Sequence, residues 1–213
     1  MSEPGAPLVV RTALVSDAHS IAAIGRVAFP AVHNAIVGAE FAAAVVEQTY
    51  SVVALTGCIT HCANAGDAEF LVAERDGEVI GYLHYDSEGV EPELHRIYVD
   101  PGQKRGGVGS ALMRELHLRL PPLGQYILLV AELNKEAQAF YERHGLVIES
   151  RVDGPSHYIN TMAIETDEPP PQAAAILMRY TASTVLSAHS SGARPLKRPY
   201  SASARDGAWP LGV

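Results

Sequence analysis

The chain has 213 residues, 47% of them hydrophobic and 19% charged, and a formal net charge of −8. This length predicts one domain of ordinary size, and the hydrophobic fraction excludes a wholly disordered chain. The acidic balance argues against nucleic-acid binding. No run of about 18 consecutive apolar residues occurs, so we expect no membrane-spanning helix and no membrane partner.

The N-terminal residues and the cysteine content bear on location. The first ten residues lack a basic segment followed by a long apolar one, so we expect no secretory signal. Two cysteines are too few for a disulfide framework. Both observations favour a reduced, cytoplasmic location.

The charge is unevenly distributed along the chain. Residues 1–164 carry a net charge of −9, and residues 165–213 carry +1. The second segment is rich in Pro, Ser, Ala and Gly and has weak periodicity. We therefore place one domain at residues 8–166. A C-terminal tail at residues 167–213 is expected to be largely disordered, with at most a short ordered piece around Ile176–Tyr180.

The first half of the domain predicts a strand followed by two helices. Leu8–Ala13 is a β-prone run, and Asp17–Phe29 has helical spacing that Pro30 is expected to end. A second helical pattern covers Glu40–Thr49, whereas residues 51–67 show no clear pattern.

The second half alternates strands and helices. Asp76-Gly77 suits a type I′ turn between two strands, because both central residues of that turn need positive φ. The element order predicts an α/β protein with a mixed sheet and helices on its faces. The predicted strands are Phe70–Arg75, Glu78–Tyr85, Glu93–Val99, Tyr126–Val130, Leu146–Arg151 and His157–Ile164, and the predicted helices are Gly107–Leu120 and Lys135–His144.

The most informative stretch is Ile97–Leu112, IYVDPGQKRGGVGSAL. A strand ends, a glycine-rich turn follows, and a helix begins directly after it. Exposed N–H groups of such a turn and of the helix N-terminus converge, which favours phosphate oxygens. Lys104 and Arg105 add positive charge there. The loop is neither a Walker A loop nor the dinucleotide-binding pattern.

This stretch resembles the acetyl-coenzyme A pyrophosphate motif of the GNAT superfamily of N-acetyltransferases, R/Q-x-x-G-x-G/A. Lys104 stands where Arg or Gln is usual, and Gln103 lies one place too early for the register. Because such a loop acts mainly through backbone amides, we expect binding to be preserved. The positions that match the motif, together with the residue after it, are Lys104, Arg105, Gly106, Gly107, Val108, Gly109 and Ser110.

A second run, VAELNKEAQAFYERHGL, is similar to the other GNAT signature, N-x-x-A-x-x-F-Y-x-x-x-G-F. Its matches are Asn134, Ala137, Phe140, Tyr141 and Gly145, with Leu146 in place of Phe. Residues three to four apart share one helix face, so Asn134 and Tyr141 lie on the same side. The resemblance implies that both face the coenzyme and that Tyr141 protonates the departing thiolate. A half-buried core tyrosine is the alternative.

The resemblance also implies the GNAT fold, in which the fourth and fifth strands splay apart to admit the pantetheine arm. Glu93–Val99 and Tyr126–Val130 are the corresponding strands here. Backbone groups of Ile97, Tyr98 and Val99 would pair with the pantetheine. An N–H of that stretch, that of Ile97, would polarise the thioester carbonyl.

The activity implied is transfer of the acetyl group of acetyl-CoA, the co-substrate, to a primary amine in a ternary complex. The resemblance also implies that Glu93 is the candidate base, because the histone-acetylating branch of the family has its glutamate eleven residues before the first motif residue, here Lys104. His95 or a water chain are the alternatives. A solvated strand-end carboxylate is an equally good interpretation of Glu93. Alternative functions are a non-catalytic acyl-CoA-binding regulatory module and a transferase for a longer acyl group.

The acceptor and the assembly state stay open at this stage. A polyamine, an antibiotic-like amine, an amino acid and a protein amine all fit, and a homodimer is one option. Phe29, His33, Glu40 and Phe41 are plausible walls of an acceptor pocket by the family's pattern. Cys58, His61 and Cys62 supply too few ligands for a tetrahedral zinc site, so we expect no metal.

Overall fold

The computed structural model describes residues 6–66, 68–87, 91–121, 124–153 and 174–182. These residues form one seven-stranded sheet, with strands in the order β1-β2-β3-β4-β5-β7-β6. The strands are β1 Val9–Thr12, β2 Ala68–Arg75, β3 Glu78–Asp86, β4 Glu93–Val99, β5 Gln125–Ala131, β6 Val147–Val152 and β7 Ala175–Thr181. The helices are α1 Ala18–Val37, α2 Ala39–Thr49, α3 Val52–Ala65, α4 Val108–Arg119 and α5 Lys135–Glu142.

Helices cover both faces of the sheet, as the sequence predicts. Alternate residues of β2 point to opposite faces, because side chains of a strand alternate. Phe70 and Val72 join the core beneath α1, α2 and α3. Leu71 and Ala73 join a second core with α4 and part of α5. The predicted β2–β3 hairpin is confirmed, since Asp76 and Gly77 both have positive φ.

Helix α1 does not end before Pro30, as the sequence predicted, but continues to Val37 with the proline inside it. A proline in a helix removes one backbone hydrogen bond and costs about 3 kcal/mol. The second half of the helix recovers burial, because His33 and Val37 lie in the core and the ring of His33 stacks on Phe29 at 4.1 Å. Packing on both sides of the proline therefore outweighs the local penalty.

The apolar character of α1 has a structural use in this fold. By length and composition the segment Val15–Val37 would suffice to cross a membrane. In the fold its buried face, with Ile21, Ala28 and Phe29, packs into the core over the sheet. This packing accounts for the run of apolar side chains.

Residues 52–65, which showed no clear pattern in the sequence, form helix α3. The side chain of Ser51 accepts a hydrogen bond from the N–H of Ala54 at 3.2 Å, which caps the helix. Leu55, Ile59 and Cys62 recur at intervals of three or four residues and are buried. The capping serine and the apolar spacing are both visible in the sequence, so this helix could have been predicted from it.

The sheet extends beyond the domain limit that the sequence suggested. Strand β7 lies within the segment assigned to the tail, but it is inserted between β5 and β6 and pairs antiparallel with both. Ala175 and Met178 are completely buried. The region includes the short ordered piece expected around Ile176–Tyr180, which is an integral strand. The predicted strand His157–Ile164 lies outside the described residues.

Candidate active site

Strands β4 and β5 run parallel but stay together at one point only. The register pairs Glu93 with Ile127, and the N–H of Ile127 donates to the carbonyl of Pro92 at 2.9 Å. Beyond Glu93 no further β4–β5 pair occurs among the described residues. The strands therefore part along most of β4, and this opening, between Leu94–Val99 of β4 and the facing edge of β5, is the strand gap.

Backbone groups of β4 face the strand gap at alternate residues. The N–H of Asp100 donates to the carbonyl of Ile80 on β3 at 2.9 Å, so Asp100 is directed toward β3. Backbone direction alternates along a strand, which turns Tyr98 toward β3 as well, and turns Ile97 and Val99 toward the gap. Of the three residues predicted to pair with a pantetheine, two present free backbone groups and Tyr98 does not.

The glycine-rich turn lies at the end of β4. Asp100 accepts a hydrogen bond from the N–H of Gly102 at 2.7 Å and holds the start of the turn. Gly107 precedes α4 with φ of 77°, and Arg105 has φ of 64°. Lys104 and Arg105 are exposed. The first N–H groups of α4 have no intrahelical partner and are suited to an anion. We call these groups, together with the two cations that precede them in the chain, the anion cradle.

The two signature segments touch each other. A Cβ added to Gly109 would lie 3.2 Å from the ring of Phe140 on α5 and 3.8 Å from Val99. Close by, Nε2 of His144 lies 3.1 Å from the hydroxyl of Ser110. The glycine thus allows the start of α4 to pack directly on α5.

Helix α5 begins at the predicted cap. The side-chain oxygen of Asn134 accepts the N–H of Ala137 at 3.1 Å. Gln138 is buried, and its Nε2 donates to the carbonyls of Ala131 and Glu132 at 3.1 and 2.9 Å. These bonds fix the junction between β5 and α5 beside the strand gap.

Tyr141 is partly buried on α5 and packs against the core around α4 and β5. Burial raises the pKa of Tyr141, so its hydroxyl keeps its proton at neutral pH. Its ring meets Phe140 edge-on, with centroids 5.4 Å apart. The hydroxyl is thus present as a proton donor at neutral pH.

A carboxylate–imidazole cluster lies where β4 and β5 begin to part. A register shift between His84 and Tyr85 brings Glu93 opposite Asp86 on β3. His95 bridges the two carboxylates, since its Nε2 forms a short contact with Asp86 and its Nδ1 lies 3.7 Å from Glu93. Burial raises the pKa of Glu93; the nearby His95 opposes this, and the charge of Asp86 adds to it. A carboxylate that holds its proton more tightly is a better general base.

The four predicted pocket walls lie in different surroundings. Phe29 and His33 stand next to Tyr98, whose hydroxyl lies 3.4 Å from Nε2 of His33. Phe41 is a core residue, and Glu40 is exposed at the start of α2. Only the first two therefore border β4.

Sequence reasoning missed three residues of this region. Asp86 is on the neighbouring strand and reaches His95 only through the register shift. Arg96 and Tyr50 lie together under α1, with the guanidinium carbon 5.5 Å from the centre of the Tyr50 ring. The alternation of β4 places Arg96 on the inner face, and this was the one signal in the sequence for its burial.

The two cysteines lie one turn apart on α3. Cys58 is partly buried and Cys62 buried, and burial together with Cys58 raises the pKa of Cys62 to about 12. Within the described ranges no three or more His, Cys, Asp or Glu side chains lie close enough to hold a metal ion. A thiol with so high a pKa is not reactive at neutral pH.

The comparisons with known families bear directly on this geometry. The sequence model of the acetyltransferase (GNAT) domain matches residues 66–147, which include β4, the glycine-rich turn, α4 and α5. This part of the chain is therefore similar to GNAT acetyltransferase domains. The predicted GNAT resemblance is thereby confirmed, and both signature segments lie inside the matched range.

Two curated relatives match part of the GNAT domain. Mycothiol acetyltransferase of Streptomyces coelicolor is 41% identical over 85 residues, which are 38% of this chain and 27% of the relative. The enzyme of the same name from Streptomyces avermitilis is 39% identical over 83 residues, which are 37% of this chain and 27% of the relative. The chain thus spans about a quarter of the length of these relatives.

Solved structures match a larger part of the chain. PaiA N-acetyltransferase of Thermoplasma acidophilum, solved in complex with coenzyme A, has a TM-score of 0.64 at 19% identity and covers 83% of this chain and 99% of its own. Ribosomal-protein-alanine N-acetyltransferase of Brucella melitensis has a TM-score of 0.60 at 19% identity, with 82% and 99% covered. At these identities the likeness concerns the fold, and it confirms the predicted GNAT fold.

Proposed function

We propose that this protein transfers the acetyl group of acetyl-CoA to a primary amine by direct attack within a ternary complex. The observation that carries the proposal is the arrangement along β4. An anion cradle lies after its last residue, free backbone groups of Ile97 and Val99 face the strand gap, and Glu93 lies where the gap begins. The seven residues of β4 separate the cradle from Glu93 by about 20 Å.

The cradle is assigned to the pyrophosphate of the coenzyme. Gly107 and the first turn of α4 present N–H donors, and Lys104 and Arg105 add exposed positive charge. Donors of this kind at a helix N-terminus suit phosphate oxygens. The N–H of Ile97 would donate to the thioester oxygen as negative charge develops on it.

The chemistry requires two proton movements that side chains at the gap can perform. An alkylammonium ion has a pKa near ~10.4, so the amine must lose a proton before it attacks. Glu93 accepts this proton, the amine nitrogen bonds to the acetyl carbon, and the bond from that carbon to sulfur breaks. Tyr141 gives a proton to the departing thiolate. As the amide forms, its nitrogen loses a second proton, which returns to the Tyr141 phenolate. The ammonium ion and acetyl-CoA thus become one amide, one thiol and the proton held by Glu93.

His95 takes one of two roles in this scheme. It is held by Asp86 and lies beside Glu93, so it either orients the glutamate or acts as the base itself. The raised pKa of Glu93 favours the glutamate as the base. Each residue can be replaced separately and the pH profile of kcat/KM measured. At low pH, kcat/KM falls because the base becomes protonated, so only replacement of the base removes this acid limb of the profile.

The acceptor is proposed to be a small molecule rather than a macromolecule. The curated relatives are named as mycothiol acetyltransferases, and this name points to a small molecule. The net charge of −8 favours approach of a cationic amine. An amine of a peptide is the alternative acceptor.

The test is a panel of amines with acetyl-CoA, read by detection of the released thiol. Wild-type protein should release thiol only with an amine present. Glu93→Gln and Tyr141→Phe should each lower kcat at least tenfold, because each removes a proton-transfer group. Glu78→Gln, on the exposed hairpin, is the matched control and should behave as wild type.

Two results would replace the proposal by its alternatives. Binding of acetyl-CoA without thiol release with any amine would indicate a non-catalytic acyl-CoA-binding module. Faster turnover with succinyl-CoA than with acetyl-CoA would indicate a transferase for a longer acyl group. Unchanged rates in both Glu93→Gln and Tyr141→Phe would remove the assignment of these residues.

A further inference from the structure

A second polar cluster lies under α1, on the inner face of β3 and β4. We call Arg96, Tyr50, Tyr82 and Tyr98 the inner cluster. Nη1 of Arg96 and the hydroxyls of Tyr50 and Tyr82 are buried, and no hydrogen bond of good geometry joins any of them to another described residue. The Tyr50 hydroxyl interacts only weakly with Arg96, Tyr82 and Tyr98. Tyr50 and Tyr82 have no exposed surface. Unpartnered buried donors from three separate elements point to a ligand that would satisfy them.

The members of the inner cluster converge on one region. The guanidinium carbon of Arg96 lies 5.5 Å from the centre of the Tyr50 ring. The ring of Tyr98 meets that of Tyr50 edge-on at 6.1 Å and lies 5.9 Å from that of Tyr82. Burial raises the pKa of all three tyrosines, so their hydroxyls remain donors at neutral pH.

Among the described residues, no carboxylate pairs with the positive charge of Arg96. None of the ion pairs formed by the described residues includes Arg96. Asp86 and Glu93 are the carboxylates nearest to Arg96 in the pairing of β3 with β4, and both of them contact His95. Burial of a guanidinium without an anion is costly, so an anion that enters the cluster would be bound favourably.

The inner cluster borders the proposed active site. Arg96 pairs with His84 across the strands, two pairs from the Asp86–Glu93 pair and directly before Ile97. Arg96 and Tyr98 keep part of their surface exposed, so the cluster is not sealed on the β4 side. Glu93 and Arg96 are three residues apart on β4, about 10 Å, so a short molecule held at Arg96 can extend to Glu93.

We propose that the inner cluster binds the carboxylate of the acceptor, so that the acceptor is an amine that also bears a carboxylate. This rests on the proposed acetyl transfer and narrows its substrate class. A guanidinium presents two parallel N–H donors that match a carboxylate, and phenol hydroxyls add further donors. No bond is made or broken at Arg96, which acts as a specificity residue.

The kinetic test compares glycine, β-alanine and 4-aminobutyrate with their carboxamides. Wild-type protein should acetylate at least one of the carboxylates with kcat/KM at least tenfold above that of its carboxamide. Arg96→Gln should raise KM for that carboxylate at least tenfold and leave the carboxamide within twofold. Arg114→Gln, which removes an exposed arginine of α4, should leave both unchanged.

A second variant keeps the test decisive if Arg96→Gln fails to fold. Tyr50→Phe retains the ring and removes one donor, so KM for the carboxylate should rise severalfold while KM for the carboxamide does not. Equal turnover of carboxylates and carboxamides by the wild type would overturn the proposal, as would equal losses for both in the variants.

A binding measurement separates failure of the site from failure of the enzyme. Sodium acetate and 4-aminobutyrate should raise the Tm of the wild type and of Arg114→Gln but not of Arg96→Gln, with sodium chloride as the ionic control. If no amine is acetylated but this selective shift appears, the proposed transfer fails and the anion site stands. If no selective shift appears, the site is overturned whatever the activity.

Discussion

Gly107 and Gly109 are required for two different physical reasons. Gly107 precedes α4 with φ of 77°, a conformation that residues with a side chain seldom adopt. Gly109 is needed for space, because a Cβ there would lie 3.2 Å from the Phe140 ring. The first glycine shapes the anion cradle, and the second sets the distance between α4 and α5.

Gly109→Ala should therefore weaken coenzyme binding. Phe140 would have to move by a few tenths of an ångström, which displaces α5 from the cradle. We expect KM for acetyl-CoA to rise about tenfold, a change of about 1.4 kcal/mol. Gly57→Ala is the control: nothing lies within 4 Å of its added Cβ, so KM should not change and the helix should gain about 0.5–1 kcal/mol. An unchanged KM in Gly109→Ala would contradict this role.

Glu93 should control the acid limb of the pH profile. Its pKa is raised mainly by burial, and only the deprotonated form can act as a base. kcat/KM should fall as the pH drops through this raised pKa, and Glu93→Gln should lose both the activity and the limb. If the limb persists in Glu93→Gln, another group is the base.

The same pKa shift makes an opposite prediction for stability. A raised pKa means that the fold favours protonated Glu93, so its contribution is favourable at low pH and is lost as the pH rises through the raised value. At neutral pH, Glu93→Gln should unfold at the same urea concentration as the wild type or a higher one. Loss of activity with retained stability would separate a catalytic role from a structural one.

At the scale of elements, Asp17 joins the first strand to the first helix. Its carboxylate accepts the N–H of Leu14 and two bonds from Arg11, each 2.7–3.1 Å long, and Arg11 also pairs with Glu74 on β2. Burial alone would raise the pKa of Asp17, but the hydrogen bonds from Arg11 and Leu14 lower it overall. A lowered pKa means that stability is present above the ordinary value of 3.8 and is lost as the pH falls below it.

Asp17→Asn should lower the free energy of unfolding at neutral pH by about 2 kcal/mol, because Arg11 and Leu14 lose an acceptor. The variant and the wild type should become more similar in urea stability as the pH is lowered. Glu47→Gln is the control, since Glu47 is 76% exposed and lies 3.7 Å from Arg26. A surface pair of this kind contributes little. A loss equal to that of Asp17→Asn in the control would contradict the account.

Elements with local signals were predictable, and those decided by packing were not. The Asp76-Gly77 turn and the Asn134 cap depend on a few adjacent residues, and both were predicted. The continuation of α1 through Pro30 depends on contacts of the second half of the helix. The register shift that brings Asp86 to His95 involves two strands and cannot be inferred from either alone.

At the scale of the whole molecule, β7 completes the sheet. It supplies both the partner of β5 and the partner of β6. The segment was assigned to the tail because residues 167–213 are rich in Pro, Ser, Ala and Gly and have weak periodicity. Its apolar run Ala175–Met178 is mostly buried. Such a run indicates a strand even within a segment that is rich in Pro, Ser, Ala and Gly.

Two truncated chains test the importance of β7. A chain that ends at Glu168 lacks the strand, and β5 and β6 would lose their shared partner. We expect this chain to show no cooperative thermal transition, whereas a chain that ends at Ala182 should retain one. A chain ending at Glu168 that melts cooperatively at the Tm of the full protein would refute this view of the sheet.

The candidate site was predictable where motifs carry it. The cradle and Tyr141 follow from two short segments whose spacing is visible in the sequence. The inner cluster could not be predicted, because Tyr50, Tyr82 and Arg96 are far apart along the chain and meet only through the pairing of β3 with β4 and the packing of α2.

The central claim is direct transfer from acetyl-CoA to an amine, and one measurement tests it most closely. The protein is incubated with acetyl-CoA carrying a ¹³C-labelled acetyl group, with and without an accepted amine, and mass spectrometry follows the amine, the free thiol and the intact protein. The account predicts labelled amide and free thiol in equal amounts, only when the amine is present, and no labelled protein. A labelled acetyl-protein, or thiol release without acetylated amine, would contradict it.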